Sequence, residues 1–122
     1  MPHVLLATDA DSLAEDVFAA LADEDMTVSR VRAGVDVRPA VTELKPDLVV
    51  LDMQIGNMGG VAASIDLRLE AEAGRVPDTR ILMLLDRDAD QWIARQAQAD
   101  AELVKPVDAF RLRRAAMALL AE

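Results

Sequence analysis

Two hydrophobic periods alternate along the chain. Apolar runs recur five times, at residues 4–7, 26–31, 48–51, 81–85 and 103–104. Most are bounded by Asp, Pro or Gly, a pattern typical of strands that are buried on both faces. We therefore predict five short strands that form the centre of the protein.

The stretches between these runs have helical spacing. The first carries an i, i+4, i+7, i+8 stripe made of Leu13, Val17, Ala20 and Leu21. Asp11 or Ser12 is predicted to cap this helix. Further helices are predicted over residues 36–45, 60–73, 89–97 and 108–121, and Gly74 is predicted to stop the helix over 60–73.

Strand and helix alternate five times, which predicts a doubly wound α/β fold with a parallel sheet, right-handed crossovers and helices on both faces. No repeat, low-complexity tract or linker interrupts the pattern, so we expect residues 1–122 to form one domain with no output domain. In such sheets the binding site lies at the carboxyl ends of the strands.

Composition narrows the class of protein. Hydrophobic residues make up 52% of the chain and cysteine is absent, so a packed core is expected and a disulfide or thiolate metal site is excluded. No apolar run approaches the ~20 residues that span a bilayer, and no signal peptide is recognisable, which favours a cytoplasmic protein. The net charge of −9 argues against nucleic acid and anionic membranes, and favours protein partners or small ions.

Charged residues end several of the predicted strands. Asp9 follows the first run, Asp52 the third, Asp86 the fourth, and Lys105 the fifth. An Asp in such a position is typical of a turn or a helix cap, and Lys105 followed by Pro106 is typical of a strand terminator, but the fold would bring Asp9, Asp52 and Lys105 to one edge of the sheet. Two carboxylates and a lysine suit metal-assisted phosphoryl transfer, with one carboxylate as nucleophile and Mg²⁺ and the ammonium neutralising phosphoryl oxygens.

Three segments carry a resemblance to a known family. They are Pro-Asp-Leu-Val-Val-Leu-Asp-Met at 46–53 with the loop at 54–60, Gln-Ala-Asp-Ala at 98–101, and Val-Lys-Pro at 104–106. Over nearly its whole length the chain resembles the receiver domain of bacterial two-component response regulators. The resemblance implies a flavodoxin-like five-stranded sheet of order 2-1-3-4-5.

The resemblance also implies roles for individual residues. Asp52 would be the phosphoacceptor and Lys105 the residue that pairs with the phosphoryl group. Asp9, Asp52 and the backbone carbonyl of Gln54 would hold Mg²⁺. The phosphoryl donor would be a histidine kinase or a phosphotransfer protein, and the target would be an unknown protein. The chain would be a monomer or weak dimer, and it would not be an enzyme.

Three positions depart from the family pattern. Thr8 stands where the first of two adjacent acids is usual, Leu85 where a small hydroxyl residue contacts the phosphoryl group, and Glu102 where an aromatic residue switches. We expect Mg²⁺ binding to be weak, the conformational response to be absent or altered, and Glu102 to stay in solvent because burying it unpaired is costly. Asp86 either partly replaces the missing acid or repels the phosphoryl group.

Two alternatives to a phosphorylated receiver remain. The first is a degenerate receiver that binds a partner without phosphorylation, which the three departures favour. The second is a haloacid-dehalogenase-like phosphatase, because residues 9–13 resemble the first motif of that class. Such enzymes usually need a longer chain and a later acidic pair, and this alternative leaves Asp52 and Lys105 without a role.

Overall fold

A computed structural model describes all 122 residues. The strands are β1 (His3–Ala7), β2 (Thr27–Val31), β3 (Leu48–Asp52), β4 (Arg80–Leu85) and β5 (Ala101–Val104). The helices are α1 (Asp11–Leu21), α2 (Val37–Leu44), α3 (Gly60–Glu72), α4 (Gln91–Gln96) and α5 (Ala109–Leu120). All strand pairs are parallel and follow the order β2-β1-β3-β4-β5. This confirms the predicted flavodoxin-like fold.

The core lies on both faces of the sheet, because side chains alternate along each strand. Val49 and Leu51 of β3 pack in the cluster that includes residues of α2, α3 and α4. Leu48 and Val50 pack on the other face with residues of α1 and α5. Burial on both sides explains the uninterrupted apolar runs of β1, β3 and β4, whereas the edge strands β2 and β5 are only partly buried. The longest helix, α3, has 13 residues, and no helix combines the length and apolar character needed to cross a membrane.

The start of α1 differs from its prediction. Ala10 occupies the N-cap position and no side chain caps the helix, so the predicted cap by Asp11 or Ser12 is wrong. The Asp11 carboxylate instead pairs with the guanidinium groups of Arg30 and Arg32, at 3.0 and 2.8 Å.

The ends of the other helices lie within one or two residues of their predicted limits. A 3-10 turn over Asp88–Asp90 precedes α4, which therefore begins at Gln91. Asp108 is the N-cap of α5, and its carboxylate accepts hydrogen bonds from the amides of Phe110 and Arg111. Gly74 follows α3 with a φ of 76°, the left-handed conformation expected of a glycine stop.

Candidate functional site

The site is built around Asp52, the last residue of β3, which is only 2% exposed. Its Oδ1 accepts hydrogen bonds from Lys105 Nζ at 2.5 Å and from the Gln54 amide at 3.0 Å. Its Oδ2 accepts one from the Thr8 hydroxyl at 2.7 Å. A buried carboxylate is thus held by three donors from three separate segments.

Strand register explains how these residues meet. Ala7 of β1 lies beside Leu51 of β3, so the residues that follow them, Thr8 and Asp52, are neighbours. On the other side, Leu85 of β4 lies beside Val104 of β5. Lys105 therefore emerges at the same edge and its long side chain reaches across the end of β4. The parallel sheet itself assembles the site.

Lys105 is shared between two carboxylates. Besides its contact with Asp52, Nζ lies 3.2 Å from Oδ1 of Asp86. Burial alone would lower the pKa of the Lys105 ammonium, but hydrogen bonds and charges from Asp52 and Asp86 raise that pKa by more. The side chain is 23% exposed, so it can be reached from solvent while it stays charged at neutral pH.

Asp9 faces the loop between β3 and α3 (residues 53–59). Its Oδ2 accepts a hydrogen bond from the Gly56 amide at 3.0 Å, and its Oδ1 takes part in no hydrogen bond. A Cβ atom on Gly56 would lie 3.0 Å from that Oδ2, which is tighter than nearly all such contacts. Asp9 therefore anchors the loop through Oδ2 and leaves Oδ1 without a hydrogen-bond partner from the protein.

A second anchor of this loop was missed by the sequence analysis. The amides of Gly34 and Val35 donate to the carbonyls of Gly56 and Asn57, both at 2.9 Å. A Cβ atom at Gly34 would lie 1.5 Å from the Met58 carbonyl oxygen, so only glycine fits. The available signal was a glycine shortly after the second apolar run, but nothing in the sequence says what it touches.

The structure contains no cluster of three or more His, Cys, Asp or Glu side chains placed to hold a metal ion. The smaller set of oxygen donors near Asp52 nevertheless suits Mg²⁺. Mg²⁺ commonly takes one or two carboxylates and keeps several waters. Asp9 offers Oδ1, and Asp52 offers Oδ2, which carries a single hydrogen bond. Thr8 supplies a neutral hydroxyl in place of a third acid. Gln54 donates its amide to Asp52, and the role of its carbonyl stays a prediction.

The two remaining departures lie on β4 and β5. Leu85 is fully buried among apolar side chains and presents no polar side-chain atom. The expectation that Glu102 stays in solvent is wrong, because its side chain is only 15% exposed. It pairs with Arg95 of α4 at 3.1 Å, and this ion pair offsets the cost of burying the charge. Glu102 thus links β5 to α4.

A family comparison agrees with this geometry. The model of the response regulator receiver domain matches residues 4–117. The chain belongs to the response regulator receiver family. Receiver domains act in two-component signalling and are generally signalling modules rather than enzymes.

Relatives of this receiver differ in length. Protein PilH of Pseudomonas aeruginosa is 29% identical over 122 residues, which are 99% of each chain. The DNA-binding response regulator MtrA of Mycobacterium tuberculosis is 31% identical over 118 residues, which are 92% of this chain and 51% of MtrA. The receiver thus spans about half the length of MtrA.

Solved structures share the fold. A putative response regulator from Chloroflexus aurantiacus superposes with a TM-score of 0.87 and 23% identity over all of both chains. The BeF3-activated N-terminal receiver domain of Klebsiella pneumoniae RstA has a TM-score of 0.85 and 22% identity, covering 98% of this chain and 99% of its own.

Proposed function

We propose that this receiver accepts a phosphoryl group on Asp52 from a histidine kinase or phosphotransfer protein and signals through contact with another protein. The contact between Asp52 and Lys105, 2.5 Å at the carboxyl edge of the sheet, carries the proposal. It pairs the candidate nucleophile with the one cation that can stay beside a phosphoryl group attached to it.

The chemistry follows from the residues. A carboxylate oxygen of Asp52 would attack the phosphorus of a phosphohistidine, the phosphorus–nitrogen bond would break, and the imidazole would leave with its electron pair and take up a proton. Lys105 would pair with the phosphoryl oxygens as charge redistributes. When held by Asp9, Asp52 and the Gln54 carbonyl, Mg²⁺ would neutralise further charge on those oxygens. The burial of Asp52 limits the access of water to the acyl phosphate.

A second candidate is a receiver that works without phosphorylation. Both oxygens of Asp52 already accept hydrogen bonds, including the one from Thr8 at 2.7 Å, and the carboxylate is nearly closed to solvent. Each donor lowers the nucleophilicity of the carboxylate. This arrangement favours a stable resting form that presents a fixed protein-binding surface.

Intact-mass measurement separates the two candidates. We expect the purified protein, incubated with acetyl phosphate and Mg²⁺, to gain one phosphoryl group, and Asp52→Asn to gain none. Asp16→Asn, an exposed acid on α1, is the matched control and should behave like the wild type. A gain that persists in Asp52→Asn would refute the site. No gain in the wild type would favour the phosphorylation-independent candidate.

The class of partner is inferred from the net charge of the chain. A net charge of −9 disfavours nucleic acid and anionic membranes as direct partners of this domain, so we infer a protein target. A monomer or weak dimer in the cytoplasm, acting as a single domain over residues 1–122, stays a prediction.

A further inference from the structure

Asp86 is the first residue after β4 and the second carboxylate on Lys105. Its Oδ1 lies 3.2 Å from Nζ, and this ion pair is its only side-chain hydrogen bond. The side chain is 33% exposed, whereas that of Asp52 on the same ammonium is 2% exposed. One cation is therefore shared by a fixed carboxylate and a carboxylate that can move into solvent.

We propose that Asp86 is an internal competitor for Lys105, which lowers the affinity of the site for an anionic group on Asp52 and is displaced when such a group binds. The inference rests on the proposed function of Asp52 and adds to it a positioning residue that regulates the site. Asp86 acts through Lys105 and needs no contact with the phosphoryl group.

Charge and donor number support the competition. An ammonium has three N–H donors, and two of those of Lys105 point to Asp52 and Asp86. A phosphoryl group brings three acceptor oxygens and about −1.5 to −2 charge at neutral pH. Attached to Asp52, it would face the same ammonium and repel the nearby carboxylate of Asp86. Asp86 is the member that yields, because it is the exposed one.

The segments before and after Asp86 determine which residues move when its carboxylate is displaced from Lys105. The Lys105 amide donates to the Leu85 carbonyl at 2.8 Å, which fixes the end of β4. After Asp86, Arg87 and Asp90 close a compact turn: the Asp90 carboxylate accepts from the Arg87 amide at 3.2 Å and from its guanidinium at 3.0 Å. This turn leads directly into α4. Displacement of Asp86 therefore shifts residues 87–90 relative to a fixed strand.

This route differs from one that uses a hydroxyl at the end of β4. Leu85 has no polar side-chain atom, so it cannot form a hydrogen bond with a phosphoryl oxygen. In this receiver the signal at β4 is a repulsion acting on the next residue instead of an attraction acting on residue 85.

Asp86→Asn tests the inference, with Asp88→Asn as the matched control. Asp88 is an exposed acid of the same segment, and its carboxylate contacts Gln91 rather than Lys105. In a titration with beryllofluoride and Mg²⁺, we expect Asp86→Asn to bind about tenfold more tightly than the wild type, the size expected on removing one like charge about 5 Å away. Asp88→Asn and Asp86→Glu should bind like the wild type.

NMR gives the conformational readout. Beryllofluoride should shift the amide resonances of residues 87–90 in the wild type, in Asp88→Asn and in Asp86→Glu. In Asp86→Asn these resonances should already be displaced in the free protein and should change little on binding. Equal affinities, with the same shifts at 87–90 in Asp86→Asn and wild type, would overturn the inference and leave the proposed function intact. A failure of wild type and all variants to bind would overturn the proposed function together with the inference.

Discussion

Thr8, directly after β1, leaves the site with one negative charge fewer than an acid at this position would give. Thr8 is fully buried, donates to Asp52 Oδ2 and accepts a hydrogen bond from the Ala10 amide at 3.1 Å. Both oxygens of the Asp52 carboxylate thereby accept hydrogen bonds from the protein. An acid at this position would lie within a few ångströms of Asp52, where two like charges cannot both ionise without cost.

Thr8→Asp tests this account. We expect the variant to be less stable than the wild type by about 1–3 kcal/mol in EDTA, because it buries a second negative charge beside Asp52. Mg²⁺ should recover most of this loss, since a ligand that binds only the folded state stabilises it. Thermal denaturation with EDTA and with Mg²⁺ measures both effects.

Thr8→Asn is the control for size and polarity, because it adds no charge. Its melting temperature should respond to Mg²⁺ no more than that of the wild type. An equal response of wild type and Thr8→Asp to Mg²⁺ would contradict the role assigned to the hydroxyl.

Among the elements, α3 is connected to the segments before β4 and β5 by four hydrogen bonds from one arginine. Arg68 donates to the Asp78 and Asp100 carboxylates at 2.9 and 2.6 Å and to the Thr79 and Gln98 carbonyls at 2.9 and 3.0 Å. Its side chain is 14% exposed. These partners precede β4 and β5, at the edge opposite Asp52. The contacts of Arg68 therefore stabilise the fold and lie away from the site around Asp52.

Replacement of Arg68 should destabilise the protein without changing the site. We expect Arg68→Met to lower the free energy of unfolding by about 1–3 kcal/mol, because it removes four hydrogen bonds, one of them to the partly buried Thr79 carbonyl. Arg68→Lys should recover little, since an ammonium cannot reproduce the planar fork of donors. Urea denaturation measures the loss.

Arg75→Met is the matched control for Arg68. Arg75 is largely exposed and pairs with Glu70 in solvent, so its loss should cost much less stability than the loss of Arg68. Equal losses for the two variants would contradict the anchoring role of Arg68.

At the scale of the whole molecule, carboxylates paired with donors make the stability of the fold depend on pH. Hydrogen bonds from Arg32 and Arg30 lower the pKa of Asp11, the Asp25 amide and Arg113 lower that of Asp23, and Arg75 lowers that of Glu70. All three pairs lie at the surface, so each contributes little alone. Their common direction sets the sign of the pH dependence.

A carboxyl group with a lowered folded-state pKa stabilises the protein above its unfolded pKa, and this stabilisation is lost as the pH falls through the folded value. The ordinary values are 3.8 for Asp and 4.5 for Glu. We expect the melting temperature to fall with decreasing pH below about 4.5, and to fall less steeply in the double variant Asp11→Asn with Asp23→Asn. Circular dichroism melts across this range give the test, and a rise in melting temperature toward pH 3 would contradict it.

The sequence by itself determined the fold and the edge at which the site forms. Strands buried on both faces need uninterrupted apolar runs, so β1, β3 and β4 were visible in the pattern. All strands of a parallel sheet end at the same edge, so Asp52 and Lys105 were predicted to meet although 53 positions separate them.

Only the tertiary structure decided which partner each polar side chain takes. Thr8 donates to Asp52, Asp86 shares Lys105, Glu102 pairs with Arg95 instead of facing solvent, and Asp11 binds two arginines instead of capping α1. Hydrophobic periodicity specifies which face of an element is buried. A hydrogen bond depends on atoms placed within a few tenths of an ångström by packing across the sheet, and that information lies in no single segment of the sequence.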